Sequence, residues 1–179
     1  DARIEAPKDS RLWKVWYDTP SIRATGKTSN GSKVVVYAHT DNYLSNPENL
    51  KKYLDQGLVN YAGRIPKEDF QQLVDDDGIT DESRNRLVWV IDYDTLKKSS
   101  SGVIPVKKAL EHPQTIPFIG GEERASKYLE KHKEVYGSNI GVWHSDDLSQ
   151  DGNEPLGRLL FVGGSIGGSV NQANAARGA

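Results

Sequence analysis

The chain contains no cysteine and no methionine among its 179 residues. The missing cysteine excludes disulfides, thiolate zinc sites and cysteine nucleophiles, because each of them needs a thiol sulfur. No apolar run approaches the roughly 20 residues of a membrane-spanning helix. The formal net charge is only -2, from 23 basic and 25 acidic residues that are well mixed along the chain. We therefore expect no membrane span and no nucleic-acid partner.

The chain opens with Asp-Ala-Arg-Ile-Glu instead of methionine. Such an opening is typical of a processed mature protein or of a fragment, and a removed export signal is one explanation. The hydrophobic content of 36% and the periodic segments allow one core of ordinary size. We expect a single domain over residues 1–162, with halves at about 12–78 and 86–162, and a Gly/Ala/Ser-rich tail or the start of a further region at 163–179.

Apolar periodicity, caps and turn residues predict an alternation of strands and helices. A helix is expected to begin at Asn46-Pro47-Glu48, which combines an N-cap, a first-turn proline and an early acidic residue. The most regular helical pattern has apolar residues at 3-and-4 spacing over residues 122–136. We predict strands at about 12–17, 33–39, 86–92, 115–119, 139–145 and 159–162, helices at about 47–56, 66–74 and 122–136, a turn at 97–102, and an extended or irregular segment at 103–110.

Three predicted strands run into short turns that carry acidic or histidine residues, at 39–41, 92–94 and 144–146. A strand that buries its apolar residues and ends in carboxylate and imidazole is a common way for α/β folds to build a site. In two of the turns a His and an Asp stand two residues apart. On an extended strand both side chains point to one face and can bind the same ion. The candidate metal ligands are His39, Asp41, His144 and Asp146, with His112 as a freer loop residue.

A structural interpretation of these residues stays open, because His and Asp at strand ends also cap the following turn or helix. The Asp92 and Asp94 pair is too common at strand ends to indicate catalysis. His132 lies on the apolar face of its predicted helix and is interpreted as a core histidine, whereas His112 is expected to be exposed. The acidic triplet 75–77 lacks the alternating ligands of a calcium loop and is interpreted as a solvated helix end.

Two further function classes are compatible with the sequence. A metal-dependent hydrolase can present His-x-Asp ligands at strand ends, although no His-Glu-x-x-His helix is present, and we predict no catalytic residue. A binding or structural module without metal would use aromatic side chains of the strands as a pocket or contact surface. These aromatic residues are Trp13, Trp16, Tyr17, Tyr37, Trp89, Tyr93 and Trp143.

A string of features resembles the NosL family: Val88-Trp89-Val90-Ile91-Asp92-Tyr93-Asp94-Thr95, then Ile116-Pro117-Phe118, a helix over 123–136, Gly137, and a strand that ends near Asp146. The segment from His39 to Leu44, followed by a Pro-Glu helix, is similar to an earlier part of the family pattern. The resemblance covers about residues 33–147. It implies an α+β fold of two related β-β-α-β modules packed as one compact domain.

The resemblance also implies an exported accessory protein, periplasmic or secreted, that handles copper and serves a metalloenzyme or another partner protein. The family's copper site rests on a Cys-Gly-Met segment and a second methionine, whereas this chain contains no cysteine and no methionine. Soft copper(I) prefers sulfur ligands, so histidine and carboxylate ligands favour copper(II), zinc or nickel. We therefore predict an extracytoplasmic binding or accessory domain that handles copper or zinc through His and Asp side chains.

Overall fold

The computed structural model describes residues 2–15, 17–40, 44, 46–59, 62–99, 102–142 and 154–162. The helices are α1 (Ala2–Glu5), a 3₁₀ turn (Arg11–Trp13), α2 (Pro47–Asp55), α3 (Lys67–Asp75), α4 (Tyr93–Lys98), α5 (Val106–Ala109), α6 (Thr115–Ile119) and α7 (Glu122–Tyr136). The strands are β1 (Tyr17–Lys27), β2 (Lys33–Ala38), β3 (Gly63–Arg64), β4 (Val88–Asp92), β5 (Gly102–Pro105), β6 (Asn139–Val142) and β7 (Leu156–Val162). Across these ranges, no helix combines the length and apolarity needed to cross a membrane.

Five antiparallel strands form the main sheet in the order β3-β7-β1-β2-β4. The central strand, β1, pairs with β2 from Ile22 opposite Ala38 to Lys27 opposite Lys33. Thr28 closes the turn between them, because its backbone amide donates to the Ser32 carbonyl at 2.9 Å. The short strands β5 and β6 form a separate antiparallel sheet.

The two faces of the main sheet bury different side chains, because successive residues of a strand point to opposite sides. In β2, Val34 and Val36 pack into one cluster and Val35 and Tyr37 into another. Helices α2 and α3 cover the first face, and α4 and α6 cover the second. Each fully buried large apolar side chain stabilises the fold by roughly 1.5–3 kcal/mol, so these layers are a main source of its stability.

Helix α7 anchors a third cluster beside the main sheet. The buried face of α7 consists of residues at helical spacing, as the sequence predicts: Ala125, Tyr128, Leu129 and His132. Trp13 of the 3₁₀ turn is fully buried against this face, with its ring centroid 5.7 Å from that of Tyr128. The same cluster includes side chains of α5 and β6, so α7 is held from several sides.

Tyr53 connects α2 to the β3 edge of the main sheet. Its hydroxyl donates to the Gly157 carbonyl and accepts from the Gly63 amide. The Tyr53 ring also occupies the space in which a Cβ on Gly63 would lie, and a Cβ on Gly157 would meet Ile65. Glycine at both positions therefore permits the close approach of α2 and the two strands.

Asp77 covers the outer edge of β4. Its carboxylate Oδ1 accepts from the Val90 amide at 2.9 Å and from Arg86 Nη2 at 2.6 Å. Arg86 Nε in turn donates to the Val88 carbonyl at 2.7 Å. Edge strands expose backbone groups that can pair with other chains, and these two side chains occupy some of them. The acidic triplet is therefore more than a solvated helix end, because Asp77 is a cap for the sheet edge.

Several predicted elements are wrong in type or extent, each for a local reason. Residues 115–119 form α6 instead of a strand, since a short apolar run has no decisive period. The polar segment near 97 belongs to the end of α4, whose N-cap Asp92 accepts from the Thr95 amide at 2.7 Å. The first strand begins at Tyr17 instead of stopping there. It passes through Pro20 because the β1–β7 register shifts between Asp18 and Ile22.

The fold is α+β, as the sequence predicts, with antiparallel sheets. The predicted helices near 47–56, 66–74 and 122–136 and the strands near 33–39 and 86–92 are confirmed to within a few residues. The main sheet combines β1, β2 and β3 from the first predicted half with β4 and β7 from the second. This strand order does not confirm two related modules. The domain bounds stay a prediction, and the tail at 163–179 lies outside the described residues.

Candidate functional site

Ser21 and His39 lie opposite each other at one end of the main sheet, one position beyond the Ile22–Ala38 pair. Ser21 Oγ is 2.7 Å from His39 Nδ1, and His39 Nε2 is 2.7 Å from the Pro117 carbonyl oxygen. A carbonyl can only accept, so Nε2 carries the proton and Nδ1 of the neutral ring accepts from the Ser21 hydroxyl. His39 therefore joins the sheet to α6.

The surroundings of His39 favour the neutral form of its imidazole. Burial lowers the pKa of His39 below its ordinary value of 6.5, the hydrogen bond to the Pro117 carbonyl raises it, and the positive charge of Arg124 lowers it. The ring also makes an edge contact with Trp89, at a centroid distance of 5.5 Å. Both ring nitrogens are occupied by protein partners, so a metal ion could bind His39 only after one of these bonds had broken.

A cavity of about 450 Å³ opens beside this pair, and we call it the His39 cavity. It lies between the end of the sheet, α1, α6 and the first turns of α7. Cavities of roughly 300–1,000 Å³ that are mostly apolar with a few polar groups are typical small-molecule sites. The described lining residues are Ala2, Arg3, Ile4, Thr19, Pro20, Ser21, His39, Phe118, Ile119, Arg124, Tyr128 and Leu160.

The polar groups of the His39 cavity differ in what they can offer a ligand. Thr19 Oγ1 donates to the Leu160 carbonyl at 2.7 Å, and the Ser21 hydroxyl donates to His39. Arg3 uses Nε and Nη2 for two backbone carbonyls of the 3₁₀ turn and its flank, at 2.8 and 2.7 Å. Arg124 brings a second guanidinium, and none of the described lining residues carries a carboxylate.

The Gly120-Gly121 link positions Arg124 near His39. Gly120 ends α6 with φ of +89°, and its amide and that of Gly121 both donate to the Ile116 carbonyl, at 2.9 and 3.0 Å. This left-handed conformation favours glycine. A Cβ on Gly120 would lie 3.5 Å from His39 Nε2 and 3.6 Å from Arg124 Nη1. The tight turn thus brings both side chains to one small region.

The predicted metal ligands are only partly visible in the structure. His39 lines the cavity, whereas Asp41, His144 and Asp146 lie outside the described residues. Among the residues that the structure does describe, no group of three or more His, Asp or Glu side chains is arranged to hold a metal ion. The ligand set as a whole stays a prediction.

His112 lies away from the His39 cavity and is buried instead of exposed, with 8% of its surface accessible. Its Nδ1 is 3.4 Å from the amide of Gln114, whose side-chain oxygen accepts from the Tyr37 hydroxyl at 3.2 Å. The prediction of exposure was wrong because the loop before α6 folds back onto the second face of the sheet. Trp13, Tyr37, Trp89 and Tyr93 are likewise buried, so these aromatic residues form core and not an open contact surface.

His132 is the core histidine that its helical position predicts. It is 1% exposed, and its Nε2 is 3.0 Å from the Asn139 carbonyl oxygen. Its Nδ1 is buried with no hydrogen-bond partner, and its ring lies 5.1 Å from that of Tyr136. Burial lowers the pKa of His132, the bond to Asn139 raises it, and the charge of Arg3 lowers it.

The sequence alone missed Ser21, Thr19 and Arg124 as site residues. Thr19 and Ser21 flank a proline in a segment that reads as the end of a strand, and Arg124 occupies the first turn of a regular amphipathic helix. The only local signal was the Gly-Gly pair before that helix, which marks a sharp change of direction. Because these residues come from separate elements, the cavity exists only in the folded chain.

Comparison with known proteins identifies one clear structural relative. No protein-family model matches the chain, and no curated protein matches it. A solved structure described by the words "Accommodation of massive sequence variation in Nanoarchaeota by the C-type lectin fold" is 58% identical to it. The match covers 96% of this chain and 77% of that chain, with a TM-score of 0.82.

This match overturns the resemblance to the NosL family. The solved relative agrees with the chain over nearly its whole length, whereas the NosL resemblance rested on short strings and lacked the family's sulfur ligands. The string from Val88 to Thr95 is explained by an edge strand followed by a helix with an Asp92 cap, a junction that many folds contain. The identification as a NosL-like copper accessory protein is therefore wrong. Copper or zinc binding, a protein partner and an extracytoplasmic location stay untested predictions.

Proposed function

Since the chain belongs to the C-type lectin fold family, we propose that it is a binding domain that receives a small molecule in the His39 cavity. The observation that carries this proposal is the cavity itself. Its volume of about 450 Å³ is in the range of small-molecule sites, and its wall is apolar with a few converging polar groups. The wall is also firmly held, because the bonds of His39 and the Gly120-Gly121 turn connect the sheet to α6 and α7. A preorganised wall of this kind lowers the entropic cost of binding.

The solved relative is described as an example of massive sequence variation on the C-type lectin fold. Under our proposal, this chain separates a constant framework from positions that can vary. The side chains buried on the two faces of the main sheet maintain the framework, and exposed positions can change with little effect on folding stability. Such a framework suits a binding domain, because recognition can change while the architecture persists.

The proposal is tested by backbone amide NMR of the full chain with small probes of different charge: mandelate, mandelamide, phenethylamine and glucose. We expect at least one probe to shift the amide signals of Ser21, His39 and Phe118 in a saturable manner. Ala2→Trp places a large side chain at the cavity wall and should weaken this binding about tenfold or more.

Lys8→Trp is the matched control, because Lys8 is exposed and does not line the cavity. It places the same indole side chain near α1 and should leave probe binding unchanged. If no probe shifts the cavity amides, or if Ala2→Trp binds as well as Lys8→Trp, the cavity is not a binding site and the proposal fails.

A further inference from the structure

We infer that the His39 cavity binds an uncharged small molecule with a compact apolar body and one hydroxyl or N–H donor, such as an aryl alcohol. This inference rests on the proposed function and names the ligand class of the same site. Three properties of the cavity wall lead to it: the direction of its hydrogen bonds, the interactions that its charged groups already make within the protein, and its apolar surface.

The Ser21 hydroxyl meets a ligand as a hydrogen-bond acceptor. His39 Nε2 carries the proton that it donates to the Pro117 carbonyl, so Nδ1 of the neutral ring accepts the Ser21 proton, with 2.7 Å between Ser21 Oγ and Nδ1. Ser21 Oγ keeps its lone pairs, and within the described part of the chain no donor is bonded to it. Ser21 is only 8% exposed. A ligand O–H or N–H would give this buried oxygen the donor that it lacks.

Thr19 contributes a second hydroxyl whose proton is also committed. Thr19 Oγ1 donates to the Leu160 carbonyl at 2.7 Å and accepts from the Ser21 amide at 3.3 Å. Because Thr19 Oγ1 already has one acceptor and one donor partner, we assign the ligand contact to Ser21 Oγ. Neither hydroxyl has a proton left for a ligand. A ligand that offers only acceptors would therefore leave Ser21 Oγ unpaired.

The guanidinium of Arg3 is engaged by the fold. Arg3 is 6% exposed and directs its Nε and Nη2 toward the carbonyls of Leu12 and Val15, at 2.8 and 2.7 Å. The same guanidinium lies 5.3 Å from the Trp13 ring centroid. These contacts give Arg3 a structural role in holding α1 against the 3₁₀ turn, so an anion would have to compete with them.

The charge of Arg124 is likewise met within the chain. Arg124 has an interaction partner of its own, and two carboxylates lie within its electrostatic reach. Hydrogen bonds from Asn85 lower the pKa of Asp81, and the charge of Arg124 adds to this effect. Lys127 lowers the pKa of Glu123 through an ion pair, again with a contribution from Arg124. Arg124 is therefore not a guanidinium reserved for a ligand.

A charged ligand would lose much of its hydration in the cavity without gaining a dedicated counter-charge. None of the described lining residues is a carboxylate that could pair with a cation. An anion would have to displace existing contacts of Arg3 or Arg124. Burial lowers the pKa of His39, which favours its neutral form. Because an ion that is buried without a partner is unfavourable, these surroundings select a neutral ligand.

The remaining wall is apolar and favours a ligand with a compact hydrocarbon or aromatic body. The side chains that form it come from α1, β1, β7, α6 and α7, so they enclose the space from different directions. Burial of apolar ligand surface against such a wall is the main favourable contribution to binding. The apolar wall consists of Ile4, Pro20, Phe118, Ile119, Tyr128 and Leu160.

Backbone amide NMR titrations with four probes test this selectivity in the unmodified full chain. The probes share a phenyl ring and the same number of non-hydrogen atoms. 1-Phenylethanol is neutral and has one donor, acetophenone is neutral and has none, benzoate is an anion, and 1-phenylethylamine is a cation at neutral pH. From the shifts of the Ser21, His39 and Phe118 amides, we expect 1-phenylethanol to bind about fivefold more tightly than acetophenone and about tenfold more tightly than either ion.

Ser21→Val should reduce the preference for 1-phenylethanol over acetophenone to less than about twofold, because it removes the accepting oxygen and its methyl groups cover His39 Nδ1. Ser21→Thr is the matched control: it has the same branched shape but keeps the hydroxyl, and it should retain the preference. Circular dichroism and a thermal melt establish that both variants are folded. The comparison of the four probes in the unmodified protein does not depend on either variant.

The outcomes separate this inference from the proposed function. If benzoate or 1-phenylethylamine binds as tightly as 1-phenylethanol, selection of a neutral ligand is refuted while the cavity remains a binding site. If acetophenone equals 1-phenylethanol, or if Ser21→Val retains the preference, the donor contact to Ser21 is refuted. If none of the four probes binds, the inference is refuted, and the NMR comparison of Ala2→Trp with Lys8→Trp decides whether the cavity binds anything else.

Discussion

The hydroxyl of Ser21 donates to Nδ1 of His39 across two neighbouring strands, at 2.7 Å. Since Nε2 of the same ring donates to the Pro117 carbonyl, one imidazole connects β1 and β2 to α6. A neutral histidine with both nitrogens satisfied is well suited to a partly buried position. This connection forms one wall of the His39 cavity.

Ser21→Ala should lower the free energy of unfolding by about 1–2 kcal/mol, because it leaves His39 Nδ1 without its donor in a buried environment. The measurement is urea denaturation near neutral pH. Ser29→Ala is the matched control, since Ser29 is exposed in the turn after β1, and it should change the stability by less than about 0.5 kcal/mol. Equal free energies of unfolding for the two variants would show that the Ser21–His39 hydrogen bond contributes nothing to stability.

The stability of the protein should fall as the pH drops below about 6.5, the ordinary histidine pKa. Burial lowers the pKa of both His39 and His132 in the folded state. On acidification the histidines of the unfolded chain therefore bind protons at a higher pH than those of the folded chain. The stabilisation of the folded chain is complete above the histidine pKa of the unfolded chain, and it is lost as the pH falls through the lower pKa of the folded chain. Urea denaturation at a series of values between about pH 7 and pH 5 measures this loss.

His132→Phe should reduce the loss of stability on acidification, because His132 Nδ1 has no acceptor for an added proton and Arg3 adds like charge. Tyr136→Phe, one turn further along α7, is the control for altered packing in the same cluster and should keep the pH dependence of the wild-type chain. If the free energy of unfolding depends on pH in His132→Phe as it does in the wild type, His132 does not titrate in this range.

Tyr53→Phe should lower the free energy of unfolding by about 1–3 kcal/mol, because it leaves the buried Gly63 amide and Gly157 carbonyl without the hydroxyl that joins them. The matched variant is Tyr93→Phe on the opposite face of the main sheet, for which a smaller loss is expected. Guanidinium denaturation compares the two. A larger loss for Tyr93→Phe would contradict the role assigned to Tyr53.

Asp77→Ala should expose the edge of β4 and accelerate hydrogen exchange of the Val90 amide by about tenfold. The effect on global stability should stay below about 1 kcal/mol, because the Arg86–Asp77 pair is more than 40% exposed and screened by solvent. Asp75→Ala is the control from the same triplet, since Asp75 accepts only a local bond from Gln71, at 2.7 Å. An unchanged rate of hydrogen exchange at the Val90 amide in Asp77→Ala would refute the role of Asp77 as a cap for the edge of β4.

Local patterns predicted those elements whose signals lie within a few residues of each other. Asn46 caps α2 through bonds from the amides of Glu48 and Asn49, at 2.9 and 3.2 Å, and the apolar spacing over 122–136 matches the buried face of α7. The apolar run at 115–119 failed because five residues carry no clear period, and the αL turn at Gly120 ends a helix there. The NosL resemblance failed for a similar reason, since strand-cap-helix strings recur in unrelated folds.

The sequence by itself determined the mixture of strands and helices, the long helices, the exclusion of sulfur chemistry and the core position of His132, because composition and short-range periodicity govern these features. Only the tertiary structure decided that β7 pairs with β1, that His39 bonds to Ser21 and Pro117, and that Arg124 lines the same cavity. Leu160 and Thr19 are 141 positions apart in the chain yet share a hydrogen bond. Which distant strands pair depends on the packing of the whole core, and no local pattern encodes the cavity that this packing leaves.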